Sequence, residues 1–482
     1  MSTATYRLSR RQVLGIAAGG AISAVGIRAL TLQIGNGPVA SAAGANGSWN
    51  SPLRDSRALS AHLLRRAGFV ATSDELDAAA RRSYSDLVDS VVNQKPEPLP
   101  LPSGNITQYQ VTTTAWYQHM VGVSAQFPER MSLFWHGLLT SDYRKGARTG
   151  PLIWQQNQLF RTTGLTDLRS LLVAITHDPL MMNYLDLVQS SGKAPNENYA
   201  RELMELYTLG VGNFSEADVR EGARALSGLQ VRIVDVNGQT VAPPKKDKND
   251  KQAQYDALNE LAQQGARWQG YLNPKRHDNG SKTYLGNSGA LGPDQVIDTI
   301  LSKDACASFI ANKALTYFSV PQPSADYVSR IAGQFRNSKY DIRTLMRSIF
   351  LSDEFRAAAN YRSLVRSPAD AMVSTMRILA RPDFAAQAVA AGPSMDQILY
   401  DPPTVGGWPI NGGWLSSSAL LGRVNFAAYV VQNAKTLPDP VAGVHTHLDN
   451  VVSADTAAVF NASHSAGDRW YAILASPEFH LK

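Results

Sequence analysis

Cysteine is almost absent from this sequence, which has one, Cys306, among 482 residues. One cysteine cannot form a disulfide within the chain, attach a c-type haem covalently, or alone hold a cysteine-based zinc site or an iron–sulfur cluster. Cys306 lies in the apolar run at residues 305–310, which favours a small buried side chain over a reactive thiol. These observations leave any other cofactor unidentified.

Charged residues are scarce as well, at 18% of the chain, whereas 44% are hydrophobic, and neither glycine (36) nor proline (25) is enriched. This composition excludes a disordered or collagen-like chain. Sustained alternation of polar and apolar residues is missing. Helix-capping signals, by contrast, recur before apolar residues at helical spacing, and two of them predict helix starts at Thr72–Glu75 and Ser215–Asp218. We therefore predict a mainly α fold, a large helical body with long loops, arranged at this length as one unit or two lobes.

The sequence also lacks an apolar run long enough to span a membrane, because the stretch that starts at Gly15 is interrupted by Arg28. Residues 9–14, Ser-Arg-Arg-Gln-Val-Leu, have the twin-arginine export pattern, and residues 40–42 offer a small-residue cleavage site. We predict a signal peptide over residues 1–42 that the twin-arginine translocase reads, with an uncleaved anchor as the alternative. The mature chain is then periplasmic, in the cell envelope or extracellular, without a transmembrane span.

The net charge of +6 comes mostly from that predicted signal, which holds four arginines and no acid, so the mature chain carries only +2. The rest of the sequence shows neither a long lysine–arginine stripe nor a recognition-helix motif. No nucleic-acid partner is therefore expected.

Breaks in the helical pattern divide the mature chain into four regions. Residues 43–105 are an N-terminal helical segment that ends in a proline-rich linker, and residues 106–232 are a central helical region. Residues 233–291 are predicted to be a long loop region, where the mixed charges at 245–251 are typical of solvated chain. Residues 292–482 return to helical patterning.

The most informative stretch is residues 196–210, whose polar side chains fall on one arc at about 100° per residue. The arc holds Glu197, Asn198, Arg201, Glu202, Glu205 and Thr208. Two close carboxylates, Glu202 and Glu205, can bind a cation or act as acid and base, because their repulsion raises one pKa. Arg201 can hold an anionic group beside them. A solvated ladder of ion pairs along the helix is the alternative.

A loop rich in Asp, Asn and Gly follows at residues 276–286 and contains His277, Asp278 and Lys282. Adjacent His and Asp side chains can bind one metal ion or relay a proton, and Lys282 is a candidate ligand-binding residue. His136, within the apolar residues 133–138, is a third candidate metal ligand. A turn with a satisfied histidine at His277, and a core histidine bonded to a backbone carbonyl at His136, are the alternatives.

Two tryptophans, Trp408 and Trp414, lie in a loop of prolines and glycines at residues 401–414. Such a loop holds its side chains at low entropic cost, which suits a ligand-binding wall for flat or sugar-like molecules. A loop pinned to the core is the alternative. We expect this loop to form one wall of the main cleft.

Several of these motifs, together with other short segments, follow one another along the chain in a characteristic order. The ordered segments are residues 61–69, 134–136, 196–210, 218–219, 223–226, 277–286, 401–414 and 476–479. From about Leu59 onward the chain thereby resembles the bacterial domain-of-unknown-function family 1800. The resemblance implies a large, mostly helical, exported protein, often encoded beside another exported family with a phosphatase-like or sulfatase-like fold. A protein of that second kind becomes a candidate partner.

Two departures from the family pattern bear on the site. Gly137 stands where the family commonly has a second histidine after Trp-His, so a metal site built on paired histidines near His136 is not expected. Leu229 stands where the family has tryptophan. The resemblance also implies that the polar face at residues 196–205 keeps particular identities, which favours a polar interior cleft over a solvated surface.

Two functions follow as hypotheses, and the sequence leaves open whether the protein is an enzyme. The first is an extracytoplasmic enzyme, hydrolytic or metal-assisted, whose cleft gathers Arg201, Glu202, Glu205, His277, Asp278 and His136. The second is a non-catalytic envelope protein that binds a ligand or docks a co-exported partner.

Export gives the first testable prediction. Replacing Arg10 and Arg11 together by lysine stops translocation and leaves folded protein in the cytoplasm, because the signal is a receptor-read address and adds nothing to the core. Cell fractionation with an antibody against the mature chain measures the outcome, and normal export of the double variant contradicts the prediction.

Overall fold

The structure is a computed structural model that describes residues 49–146, 150–242 and 250–482. The predicted signal peptide and most of the mixed-charge run at 245–251 lie outside the described residues. Within these ranges helices dominate, so the predicted mainly α class is confirmed. None of the described helices is both long and apolar enough to cross a membrane.

The helices before the first strand are as follows. They are α1 (Ser56–Ala67), α2 (Ser73–Ala80), α3 (Tyr84–Val92), α4 (Tyr109–Gly122), α5 (Gln126–Leu138), α6 (Tyr143–Gly146), α7 (Gly150–Thr163), α8 (Leu168–Thr176), α9 (Pro179–Tyr184), α10 (Asn198–Glu202) and α11 (Glu216–Ala225). A 3-10 turn spans Leu187–Gln189, and a π-helix spans Leu203–Thr208.

The remaining elements include every strand. The strands are β1 (Leu229–Val234), β2 (Thr240–Val241), β3 (Arg267–Leu272), β4 (Lys282–Tyr284) and β5 (Asn287–Gly289). The helices are α12 (Lys251–Gln263), α13 (Pro293–Leu301), α14 (Asp304–Phe318), α15 (Ala325–Asn337), α16 (Ile342–Phe350), α17 (Asp353–Arg356), α18 (Pro368–Ile378), α19 (Ala385–Ala391), α20 (Ser417–Asn433), α21 (Pro440–His447), α22 (Ala454–Ala462), α23 (Ala466–Leu474) and α24 (Pro477–His480). Short 3-10 turns at Ala358–Asn360, Pro382–Phe384, Gly392–Met395 and Asn411–Trp414 link them.

Helix starts follow the capping chemistry of the sequence. Thr72 accepts the Glu75 backbone N–H, and Glu75 accepts that of Thr72, which is the reciprocal pair of a capping box. Ser215 and Asp218 form the same pair at the start of α11. Both starts were predicted from the spacing of the residues and are confirmed.

The prediction of a long loop over residues 233–291 is wrong in part. β1 pairs antiparallel with β3, from Leu229 opposite Leu272 to Val234 opposite Arg267, and β2 adds to the other edge of β1. α12 lies between β2 and β3, and β4 and β5 form a separate hairpin. Strands of six residues or fewer contain too few alternations to be recognised within a polar, charged sequence.

Buried apolar side chains form two large clusters. The first joins mainly α1, α3, α8–α11 and α13–α16, and the second joins mainly α4, α12, α18–α20 and α23. Helices α5 and α7 contribute to both: on α5, Phe134 and Trp135 face the first cluster and Leu133 faces the second. The shared helices make one helical body with two apolar centres. α5 is buried at every residue except Gly137.

Two adjacent charges on α5, Glu129 and Arg130, are buried and face different helices. Glu129 accepts two hydrogen bonds from Arg161 of α7, at 2.5 and 2.8 Å, and one from the Trp116 indole of α4, at 2.9 Å. Burial disfavours the Glu129 anion, but Arg161 and His119 offset that effect and lower its pKa to about 2. These contacts fix α5 against α4 and α7.

Arg130 faces the other way, toward Asp370 on α18. The Asp370 carboxylate lies 2.9 Å from Arg130, 2.9 Å from Arg366 and 2.8 Å from the Lys482 ammonium. Burial favours the protonated acid, yet Arg130, Lys482 and Arg366 outweigh it and hold the Asp370 pKa well below its usual range. We call Asp370 and these three cations the Asp370 cluster.

The Asp370 cluster gives a stability prediction. Asp370→Asn lowers the free energy of unfolding at pH 7 by about 3–5 kcal/mol, because it leaves three buried cations without their anion. The folded pKa lies below the unfolded value of 3.8, so this contribution is complete above about pH 4 and is lost as the pH falls further. Urea unfolding at pH 7 and pH 3 measures both effects.

The matched control is Asp353→Asn, whose carboxylate is 96% exposed and paired with Arg356. Its cost stays within about 0.5 kcal/mol. Equal losses in the two variants contradict the prediction.

Candidate functional site

The backbone of the motif at residues 196–210 differs from the predicted helix. α10 ends at Glu202 and continues as the π-helix, in which the Leu209 N–H donates to the Met204 carbonyl five residues earlier, at 2.8 Å. Because a π-helical turn is wider than an α-helical one, the side chains after Glu202 point in other directions than an α-helix would give them. Thr208, predicted on the polar arc, is fully buried and donates its hydroxyl to the Leu203 carbonyl.

Arg201 is occupied by other acids. Its guanidinium donates to both Glu216 oxygens, at 2.7 and 2.8 Å, and to Glu197 at 3.4 Å. Glu202 is half-buried, and burial together with the neighbouring Glu205 charge raises its pKa. The face is therefore a partly exposed ion-pair surface, on which the Glu202 carboxyl is biased toward protonation.

The second motif packs against the far end of α11. The Asp278 carboxylate accepts from the Arg224 Nε at 2.8 Å, and Arg224 also donates to Glu221 at 2.8 Å. The hydrogen bond from Arg224 is the main reason that the pKa of Asp278 is lowered. The Nδ1 of His277 lies 2.8 Å from the Ser227 carbonyl, so it carries the proton and donates.

Lys282 closes the same loop from inside. Its fully buried ammonium donates to the backbone carbonyls of Asp278, at 2.5 Å, and Gly280, at 2.9 Å. Gly228 permits the close approach of this loop, because its φ is +85° and a Cβ at this position would lie 2.6 Å from the backbone nitrogen of His277. Lys282 therefore stabilises a turn, and its donors are directed at protein carbonyls.

The structure does not bring the predicted catalytic residues into one cleft. Arg201 bonds Glu216, and Asp278 bonds Arg224. Glu216 and Arg224 are both on α11, about 12 Å apart along its axis. His136 is in the core, where its Nε2 accepts the Tyr400 N–H at 3.0 Å and burial lowers its pKa to about 3. Across the described residues, no three His, Cys, Asp or Glu side chains are arranged to hold a metal ion.

A cavity of about 420 Å³ lies instead between α5, α14 and the loop at residues 406–414. Its aromatic walls are Phe134, His136, Tyr317, Trp408 and Trp414. Both predicted ligand-binding tryptophans therefore line it. An open groove of about 710 Å³ lies beside residues 99–103. His119 is the one titratable side chain among the described residues that line it, so the groove has fewer groups that could bind or react with a ligand.

The tryptophan loop is fixed against the end of α5. Gly407 has a φ of +89°, and a Cβ there would lie 2.4 Å from the Gly137 carbonyl, so only glycine fits. The Thr140 hydroxyl donates to the Val405 carbonyl at 2.6 Å, and Asn411 donates to the Thr316 carbonyl of α14 at 3.3 Å. These contacts set the wall opposite α14.

Several polar atoms of the walls are buried without a hydrogen-bond partner. Because His136 Nε2 accepts the Tyr400 N–H, its Nδ1 carries the hydrogen, and this donor is buried and unpaired within the described residues. The Trp408 Nε1 is buried and unpaired in the same way. The Trp408 ring lies 5.0 Å from that of His136, and Trp414 is 4% exposed. The walls thus combine apolar ring faces with unused donors.

The charged side chains of the lining are all cations: Arg130, Lys313 and Lys482. Burial is the main cause that lowers the pKa of Lys482, to about 7. Sequence reasoning missed these three residues because they belong to no local motif and meet only in the folded chain. Trp408 and Trp414, by contrast, were singled out from the local pattern of prolines and glycines, and their role in ligand binding stays a prediction.

Comparison with protein families shows a match over most of the chain. The sequence model of a family described as "Protein of unknown function (DUF1800)" matches residues 62–481. Neither a curated protein nor a solved structure matches the chain.

The ion pairs of Arg201 lead to a prediction for Glu205. Glu205→Gln changes the free energy of unfolding by no more than about 0.5 kcal/mol, because Arg201 keeps Glu216 and Glu197 as partners on a partly exposed face. Glu129→Gln is the matched buried variant and costs about 3 kcal/mol or more, since it weakens the pairing of Arg161. Thermal melts of both variants decide, and a large loss at Glu205 contradicts the prediction.

Proposed function

The chain belongs to the DUF1800 family of proteins of unknown function, and we propose that it is a binding protein for a small molecule that contains a flat ring. The ligand occupies the cavity between Trp408, Trp414 and Tyr317. One observation carries the proposal: the cavity combines aromatic faces with buried donors that have no partner within the described residues. Such a combination of apolar walls and a few convergent polar groups is typical of small-molecule sites.

The volume of about 420 Å³ is in the range of small-molecule pockets, roughly 300–1,000 Å³. Rigid placement of the loop by Gly407 and Thr140 supports a preformed site, because little ordering is needed when a ligand enters.

The enzyme hypothesis has weaker support. Arg201 and Asp278 are each neutralised by an oppositely charged neighbour, and these neighbours, Glu216 and Arg224, lie at different ends of α11. The proposal therefore assigns no reaction to the protein. Of the two hypotheses from the sequence, ligand binding without catalysis agrees better with the geometry.

Location and partners are part of the same proposal. The twin-arginine pattern at residues 9–14 supports export, so the protein would act in the periplasm, the cell envelope or outside the cell. A co-exported partner with a phosphatase-like or sulfatase-like fold rests on the family resemblance alone.

A steric block tests the binding site. Gly137 lines the cavity, and a Cβ added there meets no atom within 4 Å, so Gly137→Leu fills space without disturbing the core. We expect the neutral probe N-phenyl-1-naphthylamine to bind the wild-type protein with increased fluorescence, and to bind Gly137→Leu at least about tenfold more weakly. Fluorescence titration gives both affinities.

The matched control is Gly333→Leu, an exposed glycine on α15 that also has open space around its Cβ. It should bind the probe as the wild type does. Binding of the probe by Gly137→Leu as tightly as by the wild type contradicts the proposed function, and so does a wild type that binds neither this probe nor an anionic analogue with the same rings.

A further inference from the structure

The cavity carries charge of one sign. Arg130 and Lys482 lie at its inner end and are buried, whereas Lys313 is exposed. No aspartate or glutamate is among the described residues that line it. Lys313 makes no ion pair with any described residue, and its ammonium lies 5.1 Å from the Phe309 ring. A cavity with low-dielectric walls and more cations than anions around it concentrates a positive potential.

Arg130 has a donor left over. Its Nε donates to the Gly68 carbonyl at 2.7 Å, and its Nη2 bonds Asp370 at 2.9 Å. Its Nη1 is buried and makes no hydrogen bond to any described residue. The Tyr317 hydroxyl lies beside the guanidinium and raises the Arg130 pKa both through charge and as a weak hydrogen-bond partner, but it does not meet hydrogen-bond geometry with Nη1. An unused guanidinium N–H at a cavity wall is a natural partner for an anionic oxygen.

Further cations lie behind the lining. Arg366 and Arg423 are buried, and Arg423 donates to the Arg366 carbonyl at 2.8 Å without a carboxylate of its own. With Arg130 and Lys482, four buried basic side chains share one carboxylate, Asp370. Burial lowers the pKa of Arg423 to about 10, and Asp370 counters this only in part. Buried charge is normally balanced, so this excess is a place for an anion from outside.

We propose that the ligand carries an anionic head group, a carboxylate or a phosphate or sulfate ester, which binds Arg130 and Lys482 while its ring lies between Trp408 and Tyr317. The proposal rests on the binding function above and names the class of ligand. Lys313, at the exposed end, attracts the anion as it enters. The cavity thereby selects ring-bearing acids over neutral rings of the same shape.

A pair of probes isolates the charge. 8-Anilino-1-naphthalenesulfonate has the rings of N-phenyl-1-naphthylamine plus one sulfonate, so their difference in affinity reports the anion. The wild type should bind the sulfonate about tenfold or more tightly than the neutral probe, and added salt should weaken only the sulfonate. Benzoate or phenyl phosphate should displace the bound sulfonate, and neutral benzamide should not.

Variants locate the preference. Lys313→Met keeps the fold, because this lysine is exposed and unpaired among the described residues, and it should reduce the preference for the sulfonate about threefold. Lys275→Met removes an exposed lysine on a distant loop and should leave the preference unchanged. Lys482→Met should abolish most of the preference, and Lys482→Arg should retain it. A melt of each variant confirms folding.

The outcomes separate the two proposals. Equal affinity of the wild type for both probes, or failure of both benzoate and phenyl phosphate to displace the sulfonate, overturns the anionic ligand and leaves the binding function standing. A sulfonate preference that Lys275→Met loses as much as Lys313→Met reflects overall charge and overturns it as well. Binding of neither probe refutes the binding function itself.

Discussion

The Asp370 cluster is the interaction on which the rest of the structure depends. α5 carries opposite charges at neighbouring positions, and each is buried in a different direction: Glu129 toward Arg161 and Arg130 toward Asp370. Because a buried charge is tolerated only beside its partner, these two contacts determine how α5 can rotate and slide between the two apolar clusters. Arg366 extends the same network to the backbone carbonyls of Phe69 and Phe479, at 3.1 and 2.8 Å. One carboxylate thereby orients segments from both ends of the described chain.

The cavity is a direct result of this network. Asp370 draws Arg130 and Lys482 to its inner end, and the glycine contact between Gly407 and the end of α5 places the tryptophans opposite. The same cations therefore stabilise the fold and give the cavity its charge. A residue with two such roles cannot be replaced without changing both, which is why the exposed Lys313 and the open position at Gly137 are the more informative probes.

Local chemistry was readable from the sequence, and long-range chemistry was not. The capping boxes at Thr72 and Ser215 and the rigid loop around Trp408 depend on residues within a few positions of one another, so their spacing predicted them. The π-helix after Glu202 adds one residue to a turn without any residue type that signals it, and it moved Thr208 into the core. The pairing of Arg201 with Glu216, and of Asp278 with Arg224, depends on how α10 and the 276–286 loop dock on α11. No local pattern of residues in the sequence indicates how these segments dock on α11.

The position of Lys482 beside Asp370 has a consequence for biosynthesis. The bridge between Val365 and Leu481 and the ion pair at 2.8 Å bring the last described segment into the centre of the molecule. During translation, α5 and α18 are made before residue 482. Asp370 then has only Arg130 and Arg366 as charged partners, because Lys482 has not yet been added. Contacts between distant parts of a chain form late in folding. The core therefore closes only once residues 477–482 have been made, and any shorter nascent chain holds a buried Asp370 with one of its three cationic partners missing.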